Sequence, residues 1–191
     1  MHRNFLFLRQ FDVSPVIPRL LKSNPESWPG LAARGETGNP LIGLGASVVL
    51  RGHDNITEEN WLDDLPVKDV GTLEEWPTMK RLLGEARDTI MAHPIGQQYL
   101  SGIPGRAMIS RLDPGATIFW HDDNGPYHQR NVRFHIPLIT NLKCLSYAQE
   151  EVIHMPAGCL HWFNNRVRHS SANFGDSYRY HVIFEMRRKG T

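Results

Sequence analysis

The spacing of hydrophobic positions changes character near residue 94. Between Leu73 and Met91, the residues Trp76, Met79, Leu82, Leu83, Ala86 and Ile90 recur three and four apart. That period places them on one face of an amphipathic helix, which Pro94 terminates. The remainder of the first half is mixed. Phe5 to Leu8 and Ala46 to Leu50 (ASVVL) have strand composition, and Ser14 opens a short helix through Leu21. Thr57-Glu58-Glu59-Asn60 has the form of a helix start, while Asn24 to Pro40 is rich in Pro, Gly and Asn and predicts a loop.

After Pro94 the apolar runs shorten. They fall at Ala107–Leu112, Ala116–Trp120, Val132–Leu138, Cys144–Tyr147, Glu151–His154, Arg168–Asn173 and Tyr178–Glu185. Turn signals separate them: Asp113-Pro114-Gly115, Asp123-Asn124-Gly125, Pro156-Ala157-Gly158 and Phe174-Gly175-Asp176. Many short strands at this spacing predict a mainly β, antiparallel sandwich or barrel, with the helical first half packed on one sheet. The length of 191 residues suits one domain, 1–191, with a β core over about residues 98–187.

Composition narrows the partners. With 21 basic and 20 acidic residues the formal charge is +1, which offers no basic surface for nucleic acid or an anionic membrane. The N-terminal apolar run is interrupted by Arg9 and lacks the features of a signal peptide, and no run reaches the length needed to span a bilayer. Two cysteines, Cys144 and Cys159, form neither a disulfide framework nor a CxxC site. The expectation is a cytoplasmic protein. The ten histidines are unevenly spread: His121, His128, His135, His154, His161, His169 and His181 all follow residue 120. Such a cluster favours metal chemistry.

The run Ile118-Phe119-Trp120-His121 leads into His121-Asp122-Asp123. Side chains at i and i+2 leave an extended chain on the same face, so His121 and Asp123 can reach one ion, with Asp122 pointing away. A third ligand from another strand would complete a two-histidine, one-carboxylate face. That face leaves coordination positions open, as non-haem iron(II) oxygenases require. Alone, the tripeptide is weak and more often marks a solvated loop histidine beside acids.

The order of motifs after residue 110 resembles the aspartyl/asparaginyl β-hydroxylase family of iron(II)- and 2-oxoglutarate-dependent oxygenases, including its free-proline hydroxylase branch. The resemblance rests on Ser110-Arg-Leu-Asp-Pro-Gly, His121-x-Asp123 and Arg133-Phe-His135-Ile-Pro-Leu. It continues through Gly158-x-x-x-Trp162-Phe-Asn-Asn165, His169-Ser-Ser-Ala-Asn173 and Tyr178-Arg179-Tyr. It implies a double-stranded β-helix, jelly-roll or cupin-like, with buttressing helices from the N-terminal half. It further implies that His169 joins His121 and Asp123 on Fe(II), and that Arg179 grips the far carboxylate of 2-oxoglutarate. Ser110, Arg133 and His135 match positions that line the cosubstrate pocket. Some relatives have glycine at the carboxylate position, whereas this chain has Asp123 and sides with the full triad.

The implied reaction hydroxylates a C–H bond using O2 and 2-oxoglutarate, with a small molecule, a free amino acid or its derivative, as substrate. A peptidyl Asp or Asn is the alternative. A non-catalytic cupin-like module that only binds a metal or ligand is the rival from another class, although it has no use for Arg179. His181 shares a strand face with Arg179 and can border the pocket. His154 and His161 are expected in surface loops, and Trp120, Trp162 and Phe163 in the core or the pocket wall.

Overall fold

Alternation of side chains along eleven strands sorts the described residues, 4–23, 45–52 and 66–191 of a computed structural model, into two sheets. The strands are β1 (Phe5–Gln10), β2 (Gly45–Gly52), β3 (Lys68–Asp69), β4 (Leu100–Leu112), β5 (Thr117–His121) and β6 (Asn131–Ile139), followed by β7 (Cys144–Ala148), β8 (Glu151–Ile153), β9 (Cys159–Phe163), β10 (His169–Asn173) and β11 (Arg179–Arg188). The larger sheet runs β1-β9-β6-β11-β4-β2-β3 and the smaller β5-β10-β7-β8, and every pairing in both is antiparallel.

One face of the larger sheet is apolar. Val48 and Leu50 of β2, Ile109 of β4, Phe134 and Ile136 of β6, and Val182 and Phe184 of β11 all point to it. Helix α3 (Pro77–Ala92) covers this face with Met79, Leu82, Leu83, Ala86 and Ile90, all buried. Each large side chain so buried contributes roughly 1.5–3 kcal/mol relative to exposure. The short helices α1 (Ile17–Lys22) and α2 (Gly71–Glu74) add Leu20 and Leu73 to the same core.

The helix expected over Leu73 to Met91 is in fact two. Trp76 sits at φ −121°, ψ 73° between α2 and α3, because a residue that precedes proline is driven out of helical geometry and Pro77 then starts a new helix. Pro94 likewise ends α3 and also opens α4 (Pro94–Tyr99). The turn-like stretch after Asp123 contains α5 (Pro126–Arg130), and β9 is a strand with no expected counterpart. The loop expected at Asn24–Pro40 and the helix start at Thr57 lie outside the described residues.

Two glycines are required by close approach. Gly158, at φ +77°, precedes β9, and a Cβ there would lie 2.2 Å from the Phe11 carbonyl oxygen. Gly105 on β4 would bring a Cβ to 2.7 Å from the Tyr127 hydroxyl. The opposite face of the larger sheet is polar in its middle. Arg133 and His135 on β6, and Arg179, His181 and Glu185 on β11, alternate with the core residues and turn toward the smaller sheet.

Candidate metal centre

The cleft between the sheets holds the His-x-Asp segment at one end. β5 pairs with β10 so that His121 lies opposite His169, with ring centroids 4.1 Å apart. Asp123 follows β5, and its backbone N–H donates to the Asn165 carbonyl at 3.4 Å. One ligand atom from each of His121, Asp123 and His169 lies within 4.8 Å of the others. Asp122 is exposed.

The donor set fits a divalent ion. His121 Nδ1 hydrogen-bonds the Phe119 carbonyl at 2.7 Å, and His169 Nδ1 the Val167 carbonyl at 2.8 Å. A carbonyl only accepts, so both Nδ1 atoms carry the proton and both Nε2 atoms keep a lone pair. His121 Nε2 is 3.8 Å from Asp123 Oδ1, and His169 Nε2 is 3.9 Å from Asp123 Oδ2. Two atoms each roughly 2.0–2.2 Å from one ion are at most about 4.4 Å apart, so both pairs can share one. Burial pushes His169 down to about 4, with Asp123 opposing, so its imidazole is neutral as a ligand must be.

Asp123 is oriented by groups to which sequence alone gave no part in holding it. Its Oδ2 accepts from Asn165 Nδ2 at 2.8 Å and from Arg133 Nη1 in a close ion pair. His128, 3% exposed on α5, brings Nε2 to 3.9 Å from Oδ1. Burial alone would raise the Asp123 carboxyl, but Arg133, His128, His169 and Asn165 outweigh it and hold it well below the usual carboxylate range. Arg133 also donates through Nε (3.1 Å) and Nη2 (2.8 Å) to Glu185 Oε1. Glu185 could have been found from alternation, since it shares the face of Arg179 and His181 on one strand. Asn165 stood within a quoted motif without a role.

The other end of the cleft is different. Arg179 is 2% exposed, and no carboxylate pairs with it among the described residues. Among the described residues its Nε has no hydrogen-bond partner. Burial pushes the guanidinium down to about 10, only partly offset by Cys144. His181 and His135 are likewise buried, each with an unpartnered Nε2, and their Nδ1 atoms are 3.5 Å apart. Burial, with nearby cations and imidazoles, holds both well below the usual histidine value. Ser110 lies directly opposite His181 across the β4–β11 pair, half-buried on the same face. His135 bridges the ends: its ring is 5.2 Å from that of Phe163, which in turn is 5.0 Å from that of His169.

Other residues depart from expectation. His161 belongs to β9 and is buried opposite His135, because the Gly158 turn starts a strand rather than ending one. Trp120 is 44% exposed and packs on Tyr147, on the side of the small sheet away from the cleft. Asn173, fully buried, donates to the carbonyls of Leu112, Asp113 and Ser177 and so ties β10 to the segments that flank Arg179.

Solved structures share this architecture. A 2OG-Fe(II) oxygenase family oxidoreductase from Burkholderia pseudomallei is similar at a TM-score of 0.60 and 13% identity, over 96% of this chain and 84% of its own. A prolyl-4-hydroxylase from Pseudomonas putida gives 0.57 and 14%, over 98% and 94%. A prolyl hydroxylase from Trichoplax adhaerens, in complex with a peptide fragment of the hypoxia inducible factor oxygen degradation domain, gives 0.58 and 15%, over 96% and 83%. The fold is therefore the double-stranded β-helix of the 2-oxoglutarate and iron(II) oxygenases. The profile of the aspartyl/asparaginyl β-hydroxylases matches residues 88–189, and the chain belongs to that family. It is thus an oxygenase using Fe(II), 2-oxoglutarate and O2, rather than a non-catalytic binding module. No curated protein sequence matches it. Among the described residues, no helix is long and apolar enough to cross a membrane.

Proposed function

We propose that His121, Asp123 and His169 hold iron(II), that Arg179 binds the 5-carboxylate of 2-oxoglutarate, and that the enzyme hydroxylates a free amino acid or a small amino-acid derivative. The observation that carries the cosubstrate assignment is the buried Arg179 guanidinium without a carboxylate among the described residues. A charge in that setting is costly unless an anion completes it. A planar guanidinium pairs bidentately with a carboxylate and remains charged at working pH. Bound iron(II), with 2-oxoglutarate and O2, supplies hydroxylation of an unactivated C–H bond coupled to release of succinate and CO2.

This chain's residues do the positioning. His121 and His169 offer Nε2 because backbone carbonyls fix their tautomers, and Asn165 and Arg133 orient Asp123. Ser110 and His135 line the cosubstrate pocket with Arg179; Arg133 adjoins it and has N–H groups to spare after its two ion pairs. The buried walls exclude water, which strengthens each of these contacts.

A free amino acid is favoured by the complete triad, which the family resemblance associates with the free-proline hydroxylase branch. A peptidyl substrate is favoured by the similar prolyl hydroxylase that carries a peptide. Two free, buried cysteines support a cytoplasmic setting.

The test is a screen of purified protein with iron(II), ascorbate and 2-oxoglutarate against free amino acids and peptides, read as succinate formed and product mass. Hydroxylated free amino acid is expected, and product from peptides alone would replace the substrate reading. His169→Ala is expected to lose iron binding and all 2-oxoglutarate turnover. Full turnover in that variant would remove His169 from the centre.

A further inference from the structure

The polar chain behind Asp123 extends past Arg133. Glu185 faces Arg133 directly across the β6–β11 pair and takes its Nε and Nη2 through one oxygen, Oε1. Its other oxygen, Oε2, accepts from the Tyr127 hydroxyl at 2.9 Å. That hydroxyl in turn accepts from the Arg106 backbone N–H at 2.6 Å. Glu185 is 5% exposed and Tyr127 2%, and the missing side chain at Gly105 gives both of them room. The metal-proximal carboxylate is thus linked through three side chains, Arg133, Glu185 and Tyr127, to the backbone of β4. Tyr127 and Glu185 lie outside the motifs that carry the family resemblance.

We infer that Glu185 is a positioning residue for the metal centre, acting through Arg133 to keep Asp123 Oδ1 free for the ion. A guanidinium beside a carboxylate favours the two-toothed arrangement that engages both oxygens. Glu185 occupies the Nε–Nη2 edge of Arg133, so Nη1 alone reaches Asp123, and it reaches Oδ2. Oδ1 then remains on the side of His121 Nε2. Without the Glu185 charge, Arg133 turns its free edge to Asp123 and covers both oxygens. Tyr127 fixes the second Glu185 oxygen and so prevents Glu185 from rotating away. The inference rests on the assignment of Asp123 as a ligand, and the experiment separates the two.

Full-length apoprotein is titrated with iron(II) under nitrogen, and separately with cobalt(II) read by its ligand-field absorption. Glu185→Gln, which keeps the shape and removes the charge, is expected to weaken iron(II) binding by roughly 10- to 100-fold, as loss of a group that orients a metal ligand typically does. The cobalt(II) bands should shift with it, and Tyr127→Phe should move both readouts the same way by less. Because Glu185 acts through Arg133, adding Glu185→Gln to Arg133→Gln should cause no further loss. Wild-type affinity and bands in folded Glu185→Gln overturn the inference, as do losses that multiply in the double variant. Should Glu185→Gln fail to fold, Tyr127→Phe decides: unchanged bands and affinity there overturn it. Asp123→Ala tests the premise, and wild-type iron binding in that variant removes Asp123 as a ligand whatever Glu185 does.

Discussion

The two ends of the cleft solve opposite electrostatic problems. At the metal end, Asp123, Arg133 and Glu185 alternate in charge and satisfy one another, with Asn165 and Tyr127 completing the hydrogen bonds. At the other end, Arg179, His135 and His181 are as deeply buried, yet each has a ring or guanidinium nitrogen without a partner among the described residues. The first arrangement holds its geometry without help. The second stores polar groups whose burial is unfavourable until something anionic arrives. A preformed ligand frame and, on the proposed assignment of Arg179, a pocket that draws in a dianion call for these two designs.

Removing a charge should therefore have opposite consequences at the two ends. Arg133→Met leaves Asp123 and Glu185 as buried carboxylates without their shared cation, and breaking a buried pair in this way costs about 3–5 kcal/mol. A lowered thermal midpoint of the apoprotein is expected, and an unchanged midpoint would show that the chain is not self-supporting. Arg179→Met should leave the apoprotein as stable as wild type or more so, since an uncompensated charge gives way to an apolar side chain.

Arg179→Met should also cost roughly 2–5 kcal/mol of 2-oxoglutarate binding, a 30-fold to several-thousand-fold loss. Arg179→Lys should fall between the two, because it retains the charge without the fork. The readout is charge-transfer absorbance of the iron(II) protein titrated with 2-oxoglutarate under nitrogen. Equal curves with iron retained would place Arg179 outside the cosubstrate site.

The histidines sharpen the contrast through pH. His135, His181 and His169 all have folded values below the ordinary 6.5, so the unfolded chain binds more protons than the folded one as pH falls below that value. Stability therefore rises with pH through this range and declines on acidification. Each such histidine contributes only between its unfolded value and its lower folded one, where the unfolded chain takes up the proton first. Replacing His181 with Phe should flatten the fall of the thermal midpoint between neutral pH and pH about 5. The same slope in the variant would mean that His181 titrates normally in the fold. The smallest expected effect is at Asp122, whose exposed side chain makes Asp122→Ala change stability by no more than about 0.5 kcal/mol and leave iron binding intact. The reverse ranking of Asp122→Ala and Asp123→Ala would exchange the two aspartates.

What could be read from sequence was local or repeated. Short apolar runs between turn signals marked most of the strands, and the i, i+2 spacing put His121 and Asp123 on one face. The same rule put Arg133 with His135, and Arg179 with His181. It would also have placed Glu185 had it been carried four residues beyond His181. The break at Trp76-Pro77 was legible too, since proline constrains its predecessor through the next peptide bond alone.

Only the tertiary structure decided which distant residues meet. No local signal sets His169 opposite His121, because that depends on β5 and β10 being neighbours in one register. Arg133 could equally have been spent on the cosubstrate alone; the fold instead gives it Glu185 from the adjacent strand and Asp123 from the other sheet. That Arg179 is buried with no carboxylate beside it among the described residues depends on everything packed around the side chain. Sequence specifies the functional groups and the faces they occupy. Their partners, and hence their charge states and duties, are fixed by long-range packing.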